Sequence, residues 1–183
     1  MPRTHAIPPD QTRRFLEPGP VVLLSTAHRG ERGIMTMGWH MMLGYDLVGT
    51  YIWSANRSHA LARGSRECVL NLPTADLLDT IVRIGNCSSA DDDKFERFGL
   101  TPVDSSDIDA PGIGECHARF ECRLHETRIT ADYPLFVWRV VAAHAAQRPK
   151  WPRTVHYRGD GQFMVSGEAR SRRALFKPEM LGA

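Results

Sequence analysis

Cys116-His117-Ala118-Arg119-Phe120-Glu121-Cys122-Arg123-Leu124-His125 alternates apolar and polar side chains without a break. Successive side chains of a strand point to opposite faces, so Cys116, Ala118, Phe120, Cys122 and Leu124 share one face. His117, Arg119, Glu121, Arg123 and His125 share the other. One buried and one wet face is the pattern of an antiparallel strand, not of the continuously apolar strand of a parallel sheet. Leu135 to Ala145 follows as a second, largely buried strand.

Working toward the N-terminus, Val21 to Thr26 is a short β-branched apolar run that reads as a buried strand. His28 to Gly33 is a polar turn that joins it to Ile34 through His40 as a hairpin. Asp46 to Trp53 reads as a third strand, and Glu67 to Leu72, closed by Pro73, as another. Ser58 to Arg66 reads as a short helix with Ser58 as N-cap and Gly64 near its stop. Ala75 to Ile84 carries Leu77, Leu78, Ile81, Val82 and Ile84 at helical spacing, with Gly85 at the stop. Asp91 to Phe98 is a short helix with its acids in the first turn, where the helix dipole favours them. Val155 to Tyr157 and Gln162 to Val165 are short strands or docked loops. Unevenly spaced strands with inserted helices predict a mainly β chain, folded as a small antiparallel barrel rather than a βαβ sheet.

The chain has 183 residues, of which 42% are hydrophobic and 24% charged, with a net charge of +2. These values predict a single globular domain over 1–183, with a core of about 18–145 and a C-terminal extension over 146–183. Neither nucleic acid nor a membrane is an expected partner. Arg170-Ser171-Arg172-Arg173 reads as a solvated face. No apolar stretch approaches the ~20 residues of a membrane span, and the N-terminal residues show no apolar leader, so a cytoplasmic location is expected. Cys68, Cys87, Cys116 and Cys122 show no C-x-x-C spacing and read as reduced, structural cysteines. Gly112-x-Gly114 continues to His117, so no dinucleotide fingerprint is present. Phosphate-loop, nucleophile-elbow and paired-histidine zinc motifs are also missing, and no metal is expected.

Two clusters carry the chemistry. Met35-Thr36-Met37-Gly38-Trp39-His40 packs a small hydroxyl, a glycine and large polarisable side chains into one strand, a mixture that suits a flat aromatic ligand lying against backbone. Trp53-Ser54-Ala55-Asn56-Arg57-Ser58-His59 follows a strand and opens a helix. The amides of a helix start carry partial positive charge, and Arg57 offers a bidentate fork for phosphate. Ser54 and Asn56 add neutral donors, so the turn is a candidate anion site. The plainer reading makes Ser58 only a cap and Arg57 only a surface charge. Lys94 is read as reaching the phosphate or an interface carboxylate, or else as a surface lysine pairing with nearby acids. Trp39 and Met37 are read as ring contacts or as barrel core, and His40 as a donor to substrate or as a structural histidine.

From about Pro18 to Val141 the chain resembles the flavin reductase-like family, the FMN-binding split barrels that include NAD(P)H:flavin reductases and flavoredoxins. The resemblance rests, in order, on Pro20 with the Val21 to Thr26 strand, the Met35 to Trp39 segment and the Ser54 to His59 turn. Val69-Leu70-Asn71-Leu72-Pro73, Asp93-Lys94-Phe95 and Gly99-Leu100 follow. It departs from the family at Gly38, where serine is common, and around Asn86-Cys87-Ser88-Ser89, which lacks the usual glycines. The resemblance implies an FMN cofactor, with FAD as the lesser alternative. It implies binding by Met35, Thr36, Met37, Gly38, Trp39, Ser54, Asn56, Arg57, Ser58, His59 and Lys94, with His40 as the one catalytic candidate. It further implies a homodimer with the flavin near the subunit interface, and hydride transfer from NAD(P)H to flavin N5. The electrons then pass to an oxygenase or another acceptor. A flavoredoxin-like electron carrier, and a barrel that has lost flavin, are the alternatives. The segment beyond Ala145, with Trp151, His156 and Tyr157, matches the family least and is where specificity would be shaped.

Overall fold

In the computed structural model, which describes residues 1–90, 92–126 and 133–181, the elements run as follows. First come β1 (Thr4–Ile7), α1 (Arg13–Leu16), β2 (Val22–His28), β3 (Glu31–Met37), β4 (His40–Met42) and β5 (Leu47–Tyr51). Next are α2 (Arg57–Ser65), β6 (Glu67–Leu72), α3 (Leu78–Gly85), α4 (Lys94–Arg97), β7 (Pro102–Val103) and β8 (Gly112–Ile113). The chain closes with β9 (Ala118–Glu126), β10 (Leu135–Ala146), β11 (Val155–Gly159) and β12 (Gln162–Val165). Eight strands form one antiparallel sheet in the order β3-β2-β6-β9-β10-β5-β4, with β1 also on β10. The long β10 meets β9 along one edge and divides its other edge between β5, at Leu135 to Arg139, and β1, at Ala143 to Ala146. The sheet curls into an open half-barrel, the split β-barrel architecture expected from the alternating strands.

The continuous apolar run of β2 has a direct cause. Val22 and Leu24 enter the main core, beside Leu70, Phe120, Phe136 and Trp138. Val21 and Leu23 enter a second core, with Ile34, Ile81, Ile84 and Phe95. A strand covered on both faces has no position for a polar side chain to reach water. The β2–β3 turn is tighter than the sequence suggested. Only Arg29 (φ 52°) and Gly30 (φ 82°) leave the strands, the two-residue hairpin turn that needs positive φ twice.

Several expectations are corrected. The strand expected over Ile34 to His40 ends at Met37; after Gly38 and Trp39, His40 opens β4 and pairs with Thr50 instead. Helix α2 starts one residue early, with Asn56 rather than Ser58 at the N-cap position. Gly64 does not stop it. Arg66 ends it in the left-handed region (φ 63°), while Gly64 admits the His28 ring, whose Cδ2 would lie 2.6 Å from an added Cβ. The helix expected over Asp91 to Phe98 begins at Lys94, and Asp91 lies outside the described residues. The wet face of the alternating strand is half covered: His117 and Glu121 are buried. Glu121 accepts from the Ser106 and Asp107 amides at 3.0 and 2.9 Å, which draws that loop over it. The two late segments pair as one hairpin, β11 with β12. It is tied to the barrel by the Val21 amide, which donates to the Val155 carbonyl at 2.8 Å. The four cysteines are free.

Candidate functional site

Asp93 sets the geometry of the site. One carboxylate oxygen caps α4 by accepting from the Phe95 amide at 2.9 Å; the other accepts from Arg32 Nε at 2.7 Å. That pair fixes α4 against β3 and turns Lys94 inward. Lys94 is 3% exposed, so its alternative as a surface lysine paired with acids is corrected. Its Nζ donates to the Ile84 carbonyl at 2.9 Å and lies beside the Cys87 thiol. Burial lowers its pKa, and the neighbouring Cys87 partly offsets that shift. Among the described residues no carboxylate pairs with this amine, which is held by carbonyl and thiol partners instead.

Lys94 lines a cavity of about 380 Å³ with Met35, Thr36, Asn56, Arg57, Ser58 and the loop Gly85 to Ser89. The first turn of α2 therefore opens into the same space. The Asn56 side chain does not cap it; the His59 amide donates to the Asn56 carbonyl at 3.0 Å, and the Arg57 and Ser58 amides before it have no intrahelical acceptor. Arg57 is held by Glu31 in an ion pair. A second cavity, of about 580 Å³, shares Thr36, Gly85 and Asn86 with the first and continues along Gly38, Trp39, His156, Tyr157 and Phe163. Gly38 has no atom within 4 Å of where a Cβ would stand, so the strand break offers open space in front of backbone. Together the cavities form one elongated groove: cationic and amide-lined at one end, aromatic at the other.

The sequence-expected residues divide clearly. Met35, Thr36, Asn56, Arg57, Ser58 and Lys94 converge on the first cavity, and Gly38 and Trp39 on the second. Trp39 is 72% exposed, so it is not barrel core. Its ring lies 5.3 Å from that of Tyr51. Met37 points the other way into the main core. The Thr36 hydroxyl, expected as a ligand donor, already donates to the Ile81 carbonyl at 2.6 Å. Ser54 and His59 line neither cavity; His59 meets the Phe136 ring edge-on at 5.3 Å. His40 also lines neither cavity, and its Nε2 donates to the Pro20 carbonyl at 2.6 Å. Sequence reasoning named His156 and Tyr157 where specificity would be shaped but did not see that the β11–β12 hairpin walls the groove. Its signal was Tyr157-Arg158-Gly159-Asp160-Gly161-Gln162, a turn between two aromatic-bearing runs.

His117 is buried and His40 half-buried, and among the described residues each has a buried ring nitrogen without a partner. Burial holds the pKa of both below the ordinary histidine range. The unfolded chain binds these protons near pH 6.5 and the folded chain only at lower pH, so stability rises with pH across that window. Urea midpoints should fall as pH drops below about 6.5, and less so in His117→Gln; equal slopes in both proteins would refute the assignment.

Comparison with known proteins adds the family. The family model described as flavin reductase like domain matches residues 13–162. A protein of Archaeoglobus fulgidus is 34% identical over 110 residues, covering 59% of this chain and 62% of the relative's own length. Among solved structures, an FMN-binding domain of a flavin reductases-like enzyme from Shewanella baltica superposes with a TM-score of 0.85. It is 25% identical, and the match covers 93% of this chain and 97% of that one. Flavoredoxin of Desulfovibrio vulgaris superposes with a TM-score of 0.75 at 19% identity, covering 85% and 90% of the two chains. At that identity, the second likeness speaks for the fold.

Proposed function

Because the chain belongs to the flavin reductase-like family, we propose that it is a single-domain FMN-binding oxidoreductase, reduced by NAD(P)H. One observation carries the reading: an aromatic-walled cavity and a cavity with a buried lysine adjoin through Thr36, Gly85 and Asn86. A flat ring system ending in a phosphate fits that order of surfaces. Lys94, the first-turn amides of α2 and Arg57 would hold the phosphate. The open backbone at Gly38, with Trp39, would border the ring. When bound, FMN supplies a hydride acceptor whose reduced form is reoxidised by a separate partner. The chain's own part is to orient that ring, exclude water from the phosphate end, and leave the face toward Tyr157 and Phe163 for a nicotinamide.

A homodimer agrees with the surface next to the groove. Trp39, Met41, Leu43, Tyr45 and Trp53 are all exposed along β4 and its flanks. An apolar patch of this kind marks an interaction surface, and a second copy is the occupant we assign. Cytoplasmic location and an oxygenase or other electron acceptor complete the reading. No helix among the described residues is long and apolar enough to cross a membrane.

Absorbance of the purified protein, followed by NADH and NADPH oxidation with and without added FMN, tests the proposal. Yellow protein, or turnover that requires added FMN, supports it. Tight FMN without pyridine-nucleotide turnover would shift the reading to a flavoredoxin-like carrier, and failure to bind FMN would leave a barrel without flavin. Within the site, Arg57→Ala should weaken FMN binding by ~1.5–3 kcal/mol, the worth of a charged hydrogen bond. Glu31→Gln should strengthen it, because it frees the guanidinium; unchanged affinity in both variants would remove Arg57 from the phosphate site.

A further inference from the structure

Beyond the groove lies a third cavity, of about 530 Å³, with Phe15 and Trp151 among its lining residues. The two rings meet at 5.7 Å. Arg14, Lys150 and Arg153 also line it, and no acidic residue does. Among the described residues none of these three cations has a carboxylate partner, whereas Arg13, one position away, pairs with Glu17. Lys150 lies over the Trp151 ring at 5.5 Å. The wall is built rather than loose. The Arg153 carbonyl accepts from the Ala75 amide at 2.8 Å, and the Thr154 amide donates to Ser166 Oγ at 2.9 Å.

His156 separates this cavity from the aromatic end of the groove and lines both. Its Nδ1 donates to the Gly19 carbonyl at 3.0 Å, which leaves Nε2 to accept from the Thr154 hydroxyl at 3.1 Å. The ring is thus a fixed partition with open space on either side.

We propose that this cavity binds the phosphorylated adenosine end of NADPH, with Trp151 and Phe15 against the base and Arg14, Lys150 and Arg153 around the phosphate. The proposal rests on the reading of the chain as a pyridine-nucleotide-dependent flavoprotein. A preformed aromatic cavity with convergent cations suits a planar anionic group. Cations without any carboxylate favour a ribose 2′-phosphate over a free 2′-hydroxyl, the chemical distinction by which other dinucleotide sites separate NADPH from NADH. The site stands apart from the residues assigned to FMN.

Calorimetry on the FMN-loaded protein with 2′,5′-ADP, 5′-AMP and benzoate as probes tests it, alongside NADPH kinetics. The expected result is that 2′,5′-ADP binds more tightly than 5′-AMP, competes with NADPH and weakens as salt is raised. In Arg14→Ala/Arg153→Ala its affinity should drop at least tenfold and the KM for NADPH should rise, with kcat and FMN affinity unchanged. Equal 2′,5′-ADP affinity in wild type and variant overturns the proposal. So does binding of benzoate in place of 2′,5′-ADP, which would give the cavity to an aromatic acid. If wild type oxidises NADPH and the variant does so unchanged, the cavity assignment fails and the function stands. If wild type binds 2′,5′-ADP through these arginines yet oxidises no pyridine nucleotide, the cavity assignment stands and the function fails.

Discussion

Lys94→Met is expected to weaken FMN binding by about 2–5 kcal/mol, the cost of removing one partner of a buried, hydrogen-bonded charge pair, while leaving the FMN-free protein at least as stable. The two effects have opposite origins. Without ligand, the Lys94 amine is buried with one carbonyl acceptor at 2.9 Å, and burial works against its charged form. Methionine keeps the length and packing of the side chain and removes that burden. With FMN bound, the phosphate would supply a counter-charge that methionine cannot answer. Fluorescence titration gives the affinity and urea unfolding of the FMN-free protein the stability. Parallel losses in both would make Lys94 a structural residue and exclude it from the phosphate site.

The second large effect concerns Asn71, which is fully buried in β6. Its amide donates to the Leu23 carbonyl and to Ser25 Oγ, both at 2.9 Å. Its carbonyl accepts from the Ile113 amide at 2.8 Å. Ser25 in turn donates to the Pro111 carbonyl at 2.6 Å. One side chain thus joins β2, β6 and the loop that carries β8. Asn71→Leu matches its bulk roughly but leaves the Ile113 amide and the Leu23 carbonyl without this partner. Each unsatisfied buried group costs about 1–3 kcal/mol, so a loss of about 2–6 kcal/mol is expected for the two. Thermal unfolding would show it; a loss below about 1 kcal/mol would mean that water enters and replaces the side chain.

Much of the barrel was legible because its strands follow local rules. The alternation over Ala118 to His125 and the apolar runs at Val21 and Leu135 declare their burial in the residues themselves, although Cys116, expected on the same face, precedes the strand and packs in the second core. What the sequence could not display was partnership across distance. Glu121 read as a wet residue because the loop that covers it lies upstream in the chain and only the fold brings the two together. Lys94 read equally as a surface charge, since its burial depends on Arg32 holding Asp93 across the space between β3 and α4. The break at Gly38 and Trp39 was hidden because the strand exchange at His40 is dictated by pairing with Thr50, not by local composition. In the groove, the phosphate-like end came from a helix start visible in the turn at Ser54 to His59. The hairpin opposite Trp39 carried only the weak signal of a glycine-bearing turn.

That hairpin has a consequence for how a cofactor comes and goes. The floor of the groove is β3, held by β2, which is itself sandwiched between two cores and tied into β6. The opposite wall, β11 with β12, is a separate two-stranded sheet, anchored at its base by Val155, Phe163 and Val165 in the second core. Its outer turn around Asp160 and Gly161 has the fewest attachments, and such segments open at a fraction of the global unfolding free energy. Amides in β2, β6 and β9 should therefore exchange with deuterium last, and those around the β11–β12 turn early. Loading and release would then be gated from the aromatic end, by excursions of a flap that leave the barrel intact. The cationic end would act as the mooring, the last contact to part.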